Sequence, residues 1–152
     1  MALETGSSHS RGMAARNNTV RTLIRVGWRA CFVSGVPHGP APKYSGVIPL
    51  WDPLLNRFLK GPGIFVILGP LPELPVLFIG SAPGPMEKKF WEKLEPSDRG
   101  GFAWRWESES HPPPTYAACI AFSAHQEMIP VLSAFLAREI QGPATSNPWP
   151  GR

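Results

Sequence analysis

Hydrophobic residues occur along this chain in short runs, and most runs end at a proline or a glycine. The sequence holds 19 Pro and 15 Gly among 152 residues. Because proline fixes φ and removes a backbone donor, this spacing interrupts both helices and strands. The pattern predicts a largely irregular, partly disordered chain with short helices and a few strands, and at best a small, marginal α+β core.

Residues 20–33 are the first stretch with a clear pattern, and two periodicities fit them. As a helix, the stretch places Arg21, Arg25 and Arg29 on one face and apolar residues on the other. As a strand, the same arginines alternate with apolar and β-branched residues. Both alternatives stay open, whereas the Ser-, Gly- and Asn-rich residues 1–19 predict a disordered basic tail.

The most apolar stretch covers residues 63–80 and contains three prolines and one glutamate. It predicts two buried strands, Ile64–Leu68 and Val76–Ile79, joined by a turn. A membrane-crossing helix and a peripheral membrane association are the alternatives. The prolines would break the helical ladder and Glu73 would lie near the bilayer centre, so the strands are favoured.

Two short helices are predicted beside this stretch. Asp52 is a suitable N-cap, Pro53 suits the first helical position, and Gly61-Pro62 ends the element. Residues 85–95 have helical spacing of their apolar side chains. The alternation at 102–106 is typical of a strand.

The chain therefore divides into five segments. Residues 20–106 form a weakly structured segment between the tail 1–19 and a Pro-rich linker at 107–114. Residues 115–141 predict a helical segment that is kinked or divided at Pro130, and 142–152 predict a second disordered tail.

Charge is unevenly distributed in a chain whose formal net charge is +4, since no acidic residue lies between Glu4 and Asp52. Mitochondrial presequences are Arg-rich, acid-poor and amphipathic, and residues 13–33 share these features. Predicted targeting residues are Arg16, Arg21, Arg25 and Arg29. A surface for anionic partners is the alternative, although no zinc-finger spacing or RNP signature indicates nucleic acid. We expect a cytoplasmic protein, with the mitochondrion as the alternative.

Residues that carry catalytic chemistry are few and scattered. Of the four histidines, none has a partner at metal-ligand spacing, and the two cysteines form no C-x-x-C pair. The phosphate-binding and nucleophile-elbow motifs are absent from the sequence. We expect no enzymatic activity, no cofactor and no metal site.

One short motif points to a partner. Pro113, Pro114, Thr115 and Tyr116 spell P-P-x-Y, the ligand pattern of WW domains. Predicted partner-binding residues are Pro113, Pro114 and Tyr116. The alternative is a linker whose tyrosine packs inward.

Three hypotheses follow. The chain is a small non-enzymatic interaction protein that presents this motif to a WW domain, or a small mitochondrial or membrane-associated protein directed by its Arg-rich N-terminus. The third is the product of a young reading frame without a defined biochemical activity.

Overall fold

The computed structural model describes residues 2–95 and 113–141, which form four helices and five strands. In chain order these elements are α1 (Ala2–Ala30), β1 (Lys43–Tyr44), β2 (Ile48–Pro49), α2 (Pro53–Leu59), β3 (Gly63–Leu68), β4 (Val76–Ala82), α3 (Glu87–Lys93), β5 (Tyr116–Ala121) and α4 (Ile129–Gln141). A 3₁₀ turn, Gln126–Met128, leads into α4. The small α+β core expected from the sequence agrees with this architecture.

The strands form one antiparallel sheet in the order β1-β5-β3-β4, and β2 also pairs with β5. Strands β3 and β5 lie inside the sheet, and their register places Phe65 opposite Cys119. Strand β3 is buried along its whole length because helices cover both faces of the sheet.

The core has two halves, one on each face of the sheet. Helices α1 and α4 pack on one face, where the buried residues include Ile24, Val66 and Leu132. Helices α2 and α3 pack on the other face over an aromatic group that includes Phe65 and Phe90, whose ring centroids lie 5.3 Å apart. Alternation along β3 sends successive side chains to opposite halves, as a pleated strand requires.

The helical alternative is correct for residues 20–30, whereas residues 31–33 lie beyond the helix. Residues 2–19 of the predicted disordered tail are helical as well. Helix α1 runs without a break from Ala2 to Ala30. Val20, Ile24 and Trp28 recur every four residues and are buried against the sheet. Asn17 hydrogen-bonds to the chain around β2, so the polar part of the helix has tertiary contacts that composition does not reveal.

The apolar stretch 63–80 forms β3 and most of β4, which confirms the two predicted strands. Most of their side chains pack inside the core. Among residues 2–95 and 113–141, no helix has the length and apolar character needed to cross a membrane.

The predicted cap of α2 is confirmed, since the Asp52 carboxylate accepts a hydrogen bond from the amide of Leu54 at 2.9 Å. Helix α3 confirms the second short helix but begins at Glu87.

The prediction of a helix over residues 115–141 is wrong for the first half of that range. The run at Tyr116–Ala121 is β5, because strands on both sides supply partners for its backbone groups. Pro130 does not kink a helix, since it lies in the first turn of α4, where a missing amide costs nothing. The strand predicted at 102–106, residues 107–112 of the linker and the tail 142–152 lie outside the described residues.

Candidate functional site

Helix α1 carries a row of three exposed arginines on the face next to its buried stripe. Arg21, Arg25 and Arg29 follow one another at four-residue spacing, which places them about 6 Å apart along the helix axis. This row forms one side of a groove of about 460 Å³. We call it the arginine groove; its lining residues are Arg21, Ile24, Arg25, Trp28, Arg29, Pro37, Ala41, Pro42 and Tyr44.

The other wall of the arginine groove comes from the segment that leads into β1. Pro37 and Pro42 stiffen this wall because proline fixes φ. Ile24 and Trp28 belong to the core beneath the groove. The walls are therefore largely apolar, and the positive charge lies along the α1 side.

Tyr44 joins the two walls. Its hydroxyl donates a hydrogen bond to Oδ1 of Asn17 at 2.7 Å, and the same oxygen accepts from the amide of Val47 at 3.0 Å. The guanidinium of Arg21 lies over the Tyr44 ring, 5.4 Å from its centroid, at cation–π distance. Burial raises the pKa of Tyr44 well above its usual range, so the phenol stays a neutral donor.

The positive charge of the groove has no acidic partner among residues 2–95 and 113–141. None of the three arginines forms an ion pair in the part of the chain that the structure describes. The local sequence explains this, because no acidic residue occurs between Glu4 and Asp52. The groove thus offers three planar donors, of which Arg21 is held in place.

Arg16, which the sequence grouped with the other targeting residues, lies apart from the groove. Its Nη2 donates to the carbonyl of Glu73 at 3.4 Å, and it lines a smaller cavity beside Pro72. Burial lowers the pKa of Arg16, and the electrostatic effect of Tyr44 offsets part of this shift. The structure thus brings Arg21, Arg25 and Arg29 together but separates Arg16 from them.

Trp28 lies beneath the groove and is only 2% exposed. Its ring meets Phe32 and Phe122 edge to face, with centroids 5.0 and 5.8 Å away. The indole N–H is buried and has no hydrogen-bond partner among the described residues. An unpaired buried donor of this kind costs about 1–3 kcal/mol, so it marks a point where an acceptor would be favourable.

The P-P-x-Y motif lies at the start of β5. Pro113 is exposed. The backbone amide of Thr115 donates a hydrogen bond to the carbonyl of Leu68, and the Thr115 carbonyl accepts one from the amide of Leu50. Tyr116 stands between Pro49 and Leu68 in the sheet, and its partly buried side chain packs on the α1 half of the core. The motif's tyrosine thus packs inward, but from a strand rather than from a helix.

A second cavity of about 460 Å³ lies beyond the C-terminal end of α1 and includes Cys31, His38, His125 and Glu127. Nδ1 of His125 lies 3.4 Å from the Glu127 carboxylate. Within 2–95 and 113–141, no three His, Cys, Asp or Glu side chains are placed to hold a metal ion.

The two thiols are held in their neutral form. Burial raises the pKa of Cys31, and it raises the pKa of Cys119 to about 12. Because the thiolate is the reactive species, neither environment favours nucleophilic chemistry.

Comparison with family models, curated proteins and solved structures gives no match for this chain.

Sequence reasoning identified the three arginines but missed the wall opposite them. Residues 34–46 have the Pro- and Gly-rich composition that is typical of a linker, and Tyr44 has no distinguishing neighbour in sequence. Its role depends on Asn17, which lies 27 residues away. The one available signal was the helical alternative for 20–33, which already placed the arginines in a single row.

Proposed function

We propose that this protein is a non-enzymatic interaction protein that binds an extended acidic segment of a partner protein in the arginine groove. The observation that carries this proposal is the row Arg21, Arg25 and Arg29 along an open, apolar-walled groove, in which no described carboxylate pairs with the arginines. Arginine suits this role because its planar fork binds a carboxylate through two parallel hydrogen bonds.

The shape of the groove favours a peptide. An extended chain places alternate side chains on opposite sides, so acidic residues would meet the arginines while apolar residues meet the proline wall. Single-stranded nucleic acid would need aromatic faces for stacking. Trp28 is buried and Tyr44 is partly buried beneath Arg21, so neither ring offers an open face.

The experiment uses the full chain and a synthetic peptide that alternates Asp or Glu with Phe or Leu. We expect binding that weakens as salt rises, because the arginines are exposed. The variant Arg21→Glu/Arg25→Glu/Arg29→Glu should weaken binding at least about tenfold, since each exposed pair contributes up to about 1 kcal/mol and reversal adds repulsion.

The matched control reverses three exposed cations elsewhere, Arg11, Lys88 and Arg138, and should bind like the unmodified chain. A peptide with Gln in place of its acids should bind poorly. Equal binding by the groove variant and the control variant would disprove the proposal.

A second proposal uses the same helix as an import signal, with Arg16, Arg21, Arg25 and Arg29 as the targeting residues. It is supported by the amphipathic character of α1, which separates the arginine row from Val20, Ile24 and Trp28. Since that apolar stripe is buried in the folded protein, a receptor would have to bind it before folding. Fusion of residues 1–35 to a reporter tests this, and a reporter that stays in the cytosol rejects it.

Binding of Pro113–Tyr116 to a WW domain is a third proposal. It is supported by the exposure of Pro113 and by the absence of regular secondary structure at 113–115. Because the Tyr116 side chain packs on the core, the start of β5 must separate from the sheet before a WW domain can take it.

A further inference from the structure

Trp51 is 81% exposed, although it is one of the most apolar side chains in the chain. It lies directly before the cap of α2, the helix that packs on the face of the sheet opposite the arginine groove. A large exposed aromatic side chain is informative when apolar and charged neighbours surround it, because such patches mark interaction sites.

Helix α2, which follows Trp51 in the chain, carries a row of apolar side chains. Leu54 and Phe58 are one helical turn apart, and both are only partly buried against the core. Trp51 comes directly before Asp52, the N-cap of α2, so it lies at the N-terminal end of the helix that carries this row. We refer to Trp51, Leu54 and Phe58 together as the ridge.

Cations flank the ridge. Lys43 of β1 and Arg57 of α2 line one cavity of about 360 Å³, in which Leu54 and Phe58 form the apolar part. Lys60 is exposed at the end of the helix.

These three cations form no ion pair in the described part of the chain. The acid nearest in sequence is Asp52, and its carboxylate already accepts from the amide of Leu54. The ridge therefore has an excess of positive charge.

We propose that this ridge, formed by Trp51, Leu54 and Phe58 with Lys43, Arg57 and Lys60, docks on the surface of an anionic phospholipid bilayer. Tryptophan is favoured at the level of the headgroups, where its ring is amphipathic. Long basic side chains reach lipid phosphates while their stems cover apolar surface. The cavity between Lys43 and Arg57 accepts one headgroup phosphate.

A bilayer fits this surface better than an acidic peptide does. Trp51 projects from the protein instead of lining a groove, so an extended chain would cover little of it, whereas a fluid interface surrounds a projecting ring. This differs from the arginine groove, in which the walls enclose the ligand.

The experiment measures flotation of the full chain with phosphatidylcholine vesicles, with and without phosphatidylserine. We expect binding only to the vesicles that contain phosphatidylserine. Lys43→Glu and Arg57→Glu should each reduce it about fivefold or more, because a basic residue near an anionic surface contributes about that factor. Trp51→Ala should reduce it severalfold, and Trp51→Phe should retain more of it.

Quenching by brominated lipid should be stronger for the unmodified chain than for Trp51→Phe. Val131→Ala, which removes an exposed apolar side chain on α4, should bind normally. The proposal is overturned if Trp51→Ala binds as well as the unmodified chain, or if Arg21→Glu/Arg25→Glu/Arg29→Glu abolishes binding while Lys43→Glu/Arg57→Glu does not. Because Trp51, Lys43 and Arg57 are exposed, unchanged thermal unfolding of each variant excludes misfolding as the cause.

Discussion

The hydroxyl of Tyr44 donates a 2.7 Å hydrogen bond to the side-chain oxygen of Asn17. This contact joins α1 to the beginning of the sheet. The same oxygen accepts from the amide of Val47, so one amide side chain satisfies two donors from a segment that is otherwise rich in Pro and Gly. The arginine groove therefore depends on a polar contact as well as on the apolar stripe of α1.

Asn17→Ala should lower the free energy of unfolding by about 1–3 kcal/mol, because it leaves two partly buried donors unsatisfied. Chemical denaturation measures this change. Asn18→Ala is the matched control, since Asn18 is the exposed neighbour on the same helix and should change stability by less than about 0.5 kcal/mol. Equal effects of the two substitutions would show that the Asn17 contact contributes nothing.

Gly63→Ala should destabilise the sheet by about 1–3 kcal/mol or more. A Cβ at this first residue of β3 would collide with the backbone carbonyl oxygen of Ile120, and backbone atoms in a paired strand have little room to move. Gly84→Ala is the control, because nothing lies within 4 Å of its added Cβ. Thermal unfolding of both variants tests this, and a Gly63→Ala protein as stable as the control would contradict the packing.

Stability should fall as pH rises above about 9. Burial raises the pKa of Cys119 from 9.0 to about 12, so the folded state holds a proton that the unfolded state has already lost. The stabilisation that comes from the neutral Cys119 thiol is fully present below pH 9 and is lost as pH rises toward 12. The free energy of unfolding then falls by up to about 1.4 kcal/mol per pH unit.

Cys119→Ala provides the comparison for this pH dependence. The raised pKa of Tyr44 acts in the same direction at still higher pH, so the variant should show a weaker, not an absent, alkaline loss. Denaturation curves between pH 7 and pH 11 measure both proteins. If the free energy of unfolding of the unmodified chain does not change over this pH range, the burial of the thiol is contradicted.

A peptide of residues 108–120 should bind WW domains more tightly than the intact chain does. In the folded protein the backbone of Thr115 is hydrogen-bonded on both sides and Tyr116 packs on the core, so the intact chain must first open the sheet. Titration of both against a panel of WW domains measures the difference. Tyr116→Ala in the peptide should abolish binding, and a peptide that binds no WW domain would reject the motif as a ligand.

The sequence by itself determined those elements whose signals are local. The α2 helix follows from a capping aspartate, a proline at the first position and a Gly-Pro stop, and these act within one or two turns. The β3–β4 pair follows from an apolar stretch interrupted by prolines, which leaves no length for a helix. The arginine row also follows, once residues 20–30 are helical.

Only the tertiary structure decided the rest. The stretch 20–33 suits a strand as well as a helix, and packing of Val20, Ile24 and Trp28 on the sheet selects the helix. Tyr116–Ala121 is rich in alanine, but backbone partners from both neighbouring strands make it β5. Local propensity differs by less than about 1 kcal/mol per residue, so burial and pairing with distant segments outweigh it. The arginine groove likewise depends on the hydrogen bond between Tyr44 and Asn17. These residues lie 27 positions apart, so no local sequence pattern predicts their contact.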